Sequence, residues 1–152
     1  MLSYMQNLAQ DPDLFLPMVV EDFRLTVVDE EHMIARHEAR DNALALIAVT
    51  ADDRIVGMWD CIGTTRPALQ HAVEFGMSVA REYRGQGMGA ALLSAGLAWA
   101  RQSPAVHRVE LEVYAENRPA IRLYEKFGFA IEGRKQHAFY QHGRVDHGPF
   151  TG

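Results

Sequence analysis

Val79-Ala80-Arg81-Glu82-Tyr83-Arg84-Gly85-Gln86-Gly87-Met88-Gly89-Ala90-Ala91-Leu92-Leu93 is the stretch on which the reading of this chain turns. An apolar strand ends there in a glycine loop that opens directly into a helix. Glycines at 85, 87 and 89 let the backbone turn tightly and approach a ligand closely. The first amides of the helix that follows have no intrahelical partner. With the positive end of the helix dipole behind them and Arg81 and Arg84 at the rim, they make a cradle for a diphosphate.

Upstream of the loop the apolar period is that of strands. Leu44 to Thr50 is a continuous apolar run, Ala51-Asp52-Asp53 is a turn, Arg54 to Thr65 is a second strand, and His71 to Ala80 is a third. The spacing predicts an antiparallel meander. Before it, residues 3 to 10 read as a helix broken by Asp11-Pro12-Asp13 and Pro17. A second helix runs from a cap at Asp29 through Glu30 to Arg40, with Met33, Ile34 and His37 inward. Downstream, Gly87 to Gln102 is a largely buried helix and Val106 to Tyr114 an alternating strand. Asn117 then caps a helix with Pro119 in its first turn and Gly128 just past its end. Two strands, Phe129 to Tyr140 and Arg144 to Phe150, close the chain around Gln141-His142-Gly143.

A length of 152 residues, 48% of them apolar, suits one domain over residues 1–152 with a two-layer core. No apolar run is long enough to span a membrane and no signal peptide is legible, so a cytoplasmic protein is expected. The single cysteine, Cys61, excludes an internal disulfide and a thiolate metal cluster, and its expected state is a buried, inert thiol. His137, His142 and His147 recur every five residues, the wrong step for one face of a helix or strand, so no metal is expected. A net charge of −5 argues against nucleic acid as a partner and suits a cationic or amine substrate.

Taken alone, the loop also satisfies the G-x-G-x-x-A dinucleotide pattern, with Glu110 or Glu112 about twenty residues on. That fold places the loop after its first strand and needs several more strand and helix pairs than the remaining residues supply. A Walker loop is excluded because no Gly-Lys-Ser or Gly-Lys-Thr follows the glycines.

Arg84-x-x-Gly87-x-Gly89 after an apolar strand, followed by Asn117-x-x-Ala120-x-x-x-Tyr124-x-x-x-Gly128-Phe129, resembles the GNAT superfamily of N-acetyltransferases. The likeness covers about residues 44 to 147. Within it, His71 to Val79 and Ile131-Glu132-Gly133-Arg134 are most similar to branches that act on amino acids and small amines. The resemblance implies an α+β (mixed α/β), three-layer fold whose central, mostly antiparallel sheet is splayed around acetyl-coenzyme A. It also implies that the amides of Arg84, Gly85, Gln86, Gly87, Met88, Gly89 and Ala90 hold the diphosphate. The backbone at Met77 and Val79 would pair with the pantetheine arm, Asn117 would hydrogen-bond that arm, Tyr124 would sit beside the thioester sulfur and Lys126 would reach the nucleotide phosphates.

The expected activity is direct acetyl transfer to a primary amine of a small molecule, amino acid or peptide. A non-catalytic coenzyme A binding module is the alternative. The amine must lose a proton, the carbonyl oxygen gains charge that an amide on a bulged strand near Val79 would stabilise, and the departing thiolate benefits from an acid. Alternation places Glu74 with Ala72, Gly76 and Ser78 on one strand face, opposite His71, Val73, Phe75, Met77 and Val79. A carboxylate among small residues suggests a cleft, so Glu74 is the candidate base; the resemblance implies Tyr124, by its place in the motif, as the candidate acid. Trp59 and Asp60 are further acceptor-side candidates.

Two features depart from the family pattern. The usual first strand is missing ahead of Met1-Leu2-Ser3-Tyr4, so either the domain is shortened or an edge is open for a second copy, as in a homodimer. Near the end, Pro149 stands where a longer apolar strand is expected.

Overall fold

The computed structural model describes residues 1–11, 26–136, 138–141, 144–146, 150 and 151. The readings that rest on Pro12, Asp13, Pro17, His137, His142, Gly143, His147 and Pro149 lie outside the described residues.

The expected meander is present. β1 (Ala43–Val49) pairs antiparallel with β2 (Ile55–Gly63), and β2 pairs antiparallel with β3 (Ala72–Val79). β4 (Arg108–Glu110) then adds parallel to β3. The β2–β3 register runs unbroken from Gly57 opposite Val79 to Gly63 opposite Val73. The bulge expected near Val79 is therefore not in β3; the irregularity lies at Ala48/Val49, where β1 meets the start of β2.

Helices cover both faces of this sheet. On one side α3 (Met88–Gln102) and α4 (Arg118–Lys126) bury the main core around Trp59, Val73, Cys61 and Leu93. Trp59 is fully buried, stacked 5.3 Å from Phe75 and set so closely on α3 that a Cβ at Gly96 would stand 2.6 Å from its ring. The expectation that Trp59 faces an acceptor is thus corrected. On an antiparallel strand neighbouring side chains take opposite faces, and Trp59 takes the core one.

The other face carries α1 (Leu2–Ala9), whose Tyr4 and Leu8 lie one turn apart and pack with Met58 and Ala80. It also carries α2 (Val27–Glu38), which lies against β1. α2 begins earlier than Asp29 because Thr26 and Asp29 form a reciprocal cap: the Asp29 amide donates to the Thr26 hydroxyl and the Thr26 amide to the Asp29 carboxylate. Met33 and His37 are half-buried as expected, but Ile34 is 44% exposed.

The run expected as a single strand at 106–114 changes partners midway. β4 belongs to the first sheet, while β5 (Glu112–Val113) joins a second, three-stranded sheet in which β9 (Phe150–Thr151) lies between β5 and β6 (Gly133–Arg134). Leu111, at the switch, is buried in the main core. The final pair of long strands is replaced by β6, by a hairpin of β7 (Phe139–Gln141) and β8 (Arg144–Asp146), and by β9. Only the hairpin follows from local pattern, since β9 pairs with strands far away in sequence.

Candidate active site

The switch from β4 to β5 opens the sheet beside β3. Pairing between β3 and β4 covers Ala72, Val73 and Glu74, so among the described residues Phe75 to Val79 has no strand on that side. The Ala80 amide donates to the Val56 carbonyl, which fixes the alternation along β3. By that alternation the main-chain groups of Phe75, Met77 and Val79 point away from β2 and into the opening. The side chains of Met77 and Val79 lie beside Gly89, in the first turn of α3. One wall of the opening therefore leads from strand backbone directly to the glycine loop.

In that loop Gly85 (φ 70°) and Gly87 (φ 84°) adopt the left-handed conformation that favours glycine. A Cβ at either position would meet nothing within 4 Å, so the concave side is open space. Gly87 is the N-cap of α3 and no side chain caps the helix. The amides of Met88, Gly89 and Ala90 thus precede the first intrahelical bond, which Ala91 donates to Gly87. Outward amides, a helix N-terminus and a floor without side chains together fit a diphosphate.

The structure uses Arg84 differently from the expectation. Its Nε donates to the Val79 carbonyl at 2.9 Å and its Nη2 pairs with Asp11 at 2.5 Å, while its amide bonds the Arg81 carbonyl. The guanidinium is a strut between the end of α1 and the end of β3. Asp11 lies 73 residues away in sequence, so no local pattern announces the pair. The Gln86 amide group turns back onto the Glu82 carbonyl.

Asn117 caps α4 by accepting from the Ala120 amide at 3.3 Å. Lys126, the last residue of α4, is exposed. α4 as a whole is placed beside the loop, since Leu123 touches Gly89. Tyr124 is buried with its ring edge-on to Phe75 at 5.7 Å and to Phe129 at 5.9 Å. Phe75 is the first β3 residue past the last β4 pair, so Tyr124 stands at the mouth of the splay on the α3/α4 face. Burial pushes its phenol up to about 12, which keeps the proton on the oxygen at neutral pH.

Glu74 is exposed on the opposite face, at the last paired position before the opening. Glu110 faces it across the β3–β4 pair, but the Glu110 carboxylate is held by Arg108 Nε at 2.6 Å, and Arg108 also pairs with Glu132. Glu74 itself has no hydrogen bond or ion pair among the described residues. Two residues along, Gly76 lies opposite Asp60. Asp60 is half-buried, and desolvation raises its carboxyl above the ordinary range, partly offset by His37. Tyr4, unremarked in the sequence, shares a 2.9 Å hydrogen bond with Ser78 on this same face. Its i, i+4 spacing with Leu8 is the one signal that marks it as inward-facing.

Cys61 is buried on the core face and burial pushes its thiol up to about 12, so it is not a nucleophile at neutral pH. A cavity of about 570 Å³ lies apart from the splay, between α1, the turn at Asp53 and Arg54, and Arg81–Tyr83. It includes none of Glu74, Asn117 and Tyr124. Among the described residues no cluster of histidine, cysteine and carboxylate side chains is arranged to hold a metal ion, and no helix is long and apolar enough to cross a membrane.

Comparison with known proteins supplies independent findings. The acetyltransferase (GNAT) family pattern matches residues 8–129. The L-amino acid N-acetyltransferase AaaT of Escherichia coli is 30% identical over 103 residues, covering 68% of this chain and 64% of that protein. The spermidine N(1)-acetyltransferase of Vibrio cholerae is 28% identical over 117 residues, covering 76% and 66%. The chain thus matches just under two thirds of the length of these relatives. Among solved structures, a GNAT-family acetyltransferase from Streptococcus pneumoniae superposes with a TM-score of 0.90 at 24% identity, covering 99% of this chain and 89% of that one.

Proposed function

The chain belongs to the acetyltransferase (GNAT) family, and we propose that it transfers the acetyl group of acetyl-coenzyme A directly to a primary amine of a small molecule, amino acid or peptide. The observation that best supports this reading is the unpartnered half of β3 running into an open glycine loop. Bound there, acetyl-coenzyme A supplies an acetyl group activated as a thioester. Met77 and Val79 would align its pantetheine arm as an added strand, the amides of Gly85 to Ala90 would hold the diphosphate, Asn117 would meet the arm, and Lys126 would reach the nucleotide phosphates.

The two proton-transfer candidates flank the splay from opposite faces of β3. Glu74, solvated and without a partner, takes the proton from the incoming ammonium, directly or through water, so that the nitrogen lone pair is free to form the new N–C bond. Amides of the β3 edge that point into the opening stabilise the charge that develops on the carbonyl oxygen. As the C–S bond breaks, Tyr124 donates its phenolic proton to the sulfur, and the surplus proton on the newly acylated nitrogen leaves to water, from which Tyr124 is reprotonated. Burial suits Tyr124 to this role because its proton is not lost beforehand to solvent. Cys61 takes no part, in keeping with direct transfer. A cytoplasmic location, and a second copy against β1, which ends its sheet among the described residues, belong to the same proposal.

The test is incubation with acetyl-coenzyme A and a panel of alkylamines, amino acids and short peptides, reading thiol release and the N-acetyl product. Product from at least one class supports the reading. Saturable coenzyme A binding with no product across the panel favours the non-catalytic module instead.

A further inference from the structure

We propose, on the footing of that acetyl-transfer reading, that Asp60 binds a second cationic group of the acceptor, so that the preferred substrates are diamines.

Asp60 sits in the middle of β2 with its side chain on the α1/α2 face, directly opposite Gly76. Its Oδ1 is 3.7 Å from where a Cβ of Gly76 would be, and that is the nearest atom such a Cβ would meet. The carboxylate therefore leans over a position that lacks a side chain, and Gly76 is exposed, with no other described atom within 4 Å of where its Cβ would be. Gly76 belongs to the part of β3 that has separated from β4, so this niche adjoins the acetyl-transfer position.

A half-buried carboxylate is normally held by hydrogen bonds or a salt bridge, because desolvating it otherwise costs free energy. Asp60 has neither among the described residues. His37, whose charge acts on Asp60, does not bond it: Nδ1 is hydrogen-bonded to the Met33 carbonyl at 2.8 Å and Nε2 is buried without a partner. An ammonium entering the niche supplies the missing donor.

Glu74 lies on the same face, diagonal to Asp60 across the β2–β3 pair, a spacing of about 7–8 Å between such positions. One carboxylate then takes the proton of the reacting amine while the other holds the distal ammonium. Glu110, across from Glu74, is already paired with Arg108, so Asp60 and Glu74 are the carboxylates on this face that repel the free carboxylate of an ordinary amino acid. The same residues thus favour one class of amine and disfavour another.

The experiment compares kcat/KM for linear α,ω-diamines with that for n-alkylamines of equal length, in the wild type and in Asp60→Asn and Asp60→Glu. The wild type prefers the diamines, the asparagine variant loses that preference by roughly ten- to a hundredfold, as expected for a hydrogen bond to a charged group, and the glutamate variant retains part of it. A merely structural role lowers both series together and leaves the ratio unchanged, which overturns the assignment. Equal wild-type activity on the two series overturns it as well, with no need for a folded variant, and leaves the acetyl-transfer reading standing. No acetylation of any amine overturns both.

Discussion

Replacing Tyr124 by phenylalanine isolates the proposed acid from everything else the residue does. The ring keeps its edge-on contacts with Phe75 and Phe129, and the hydroxyl has no hydrogen-bond partner among the described residues, so only the proton source is removed. Stability should change by less than about 1 kcal/mol, because no bonded partner is left exposed. The loss of a positioned acid should lower kcat by about 10²–10⁴-fold. Cofactor contacts lie at the loop and the β3 edge, so the KM for acetyl-coenzyme A should stay within about threefold, the pattern of an interaction made only in the transition state. With its folded-state pKa raised to about 12, the wild-type phenol stays protonated up to about that pH, so no acid-group decline in rate is expected between pH 7 and 10. Steady-state assay of thiol release, with thermal melting as a control for folding, gives all of these quantities. A folded Tyr124→Phe variant that turns over at the wild-type rate refutes the assignment and leaves Tyr124 as a core aromatic.

Other outcomes follow from particular contacts. Glu74→Gln should lower kcat by about 10²–10⁴-fold, as expected for loss of a positioned base; an unchanged kcat returns Glu74 to a solvated strand residue. Gly87→Ala, at φ 84°, should cost about 1–2 kcal/mol in backbone strain and raise the KM for acetyl-coenzyme A by about tenfold, since the methyl projects into the open cradle; an unchanged KM argues against ligand approach there. Arg84→Met should lower stability by about 1–2 kcal/mol through loss of its partly buried pair with Asp11, and a melting temperature equal to that of the wild type would deny the strut. Gly96→Ala drives a methyl against the Trp59 ring and should cost about 1–3 kcal/mol, read by chemical denaturation, where a neutral effect would contradict the close packing.

The parts of the site legible in the sequence are those written in local geometry. Gly85 and Gly87 turn where a positive φ is needed, Asn117 caps its helix, and the parity of β3 places Glu74 opposite Phe75. Local pattern also misled in places. Thr26 rather than Asp29 begins α2 because a reciprocal cap satisfies two orphan amides where a lone carboxylate satisfies one. What depends on distant pairing was invisible. Arg108 to Val113 keep an apolar alternation although the strand changes sheets at Leu111, and nothing near Arg84 announces Asp11. The splay beside β3 arises from that change of partner, and in the sequence it is legible only through resemblance to a family.

The central claim is that the exposed β3 edge and the glycine loop together hold the acetyl donor. Amide hydrogen exchange with and without coenzyme A tests it most directly, because unpaired amides at these positions gain partners only when the ligand binds. The account predicts protection concentrated at Met77 and Val79 and at Gly85 to Ala90, along one wall of the opening, with Ser78 unchanged because it is already paired to β2. Saturable binding of coenzyme A that leaves both segments unprotected would contradict it.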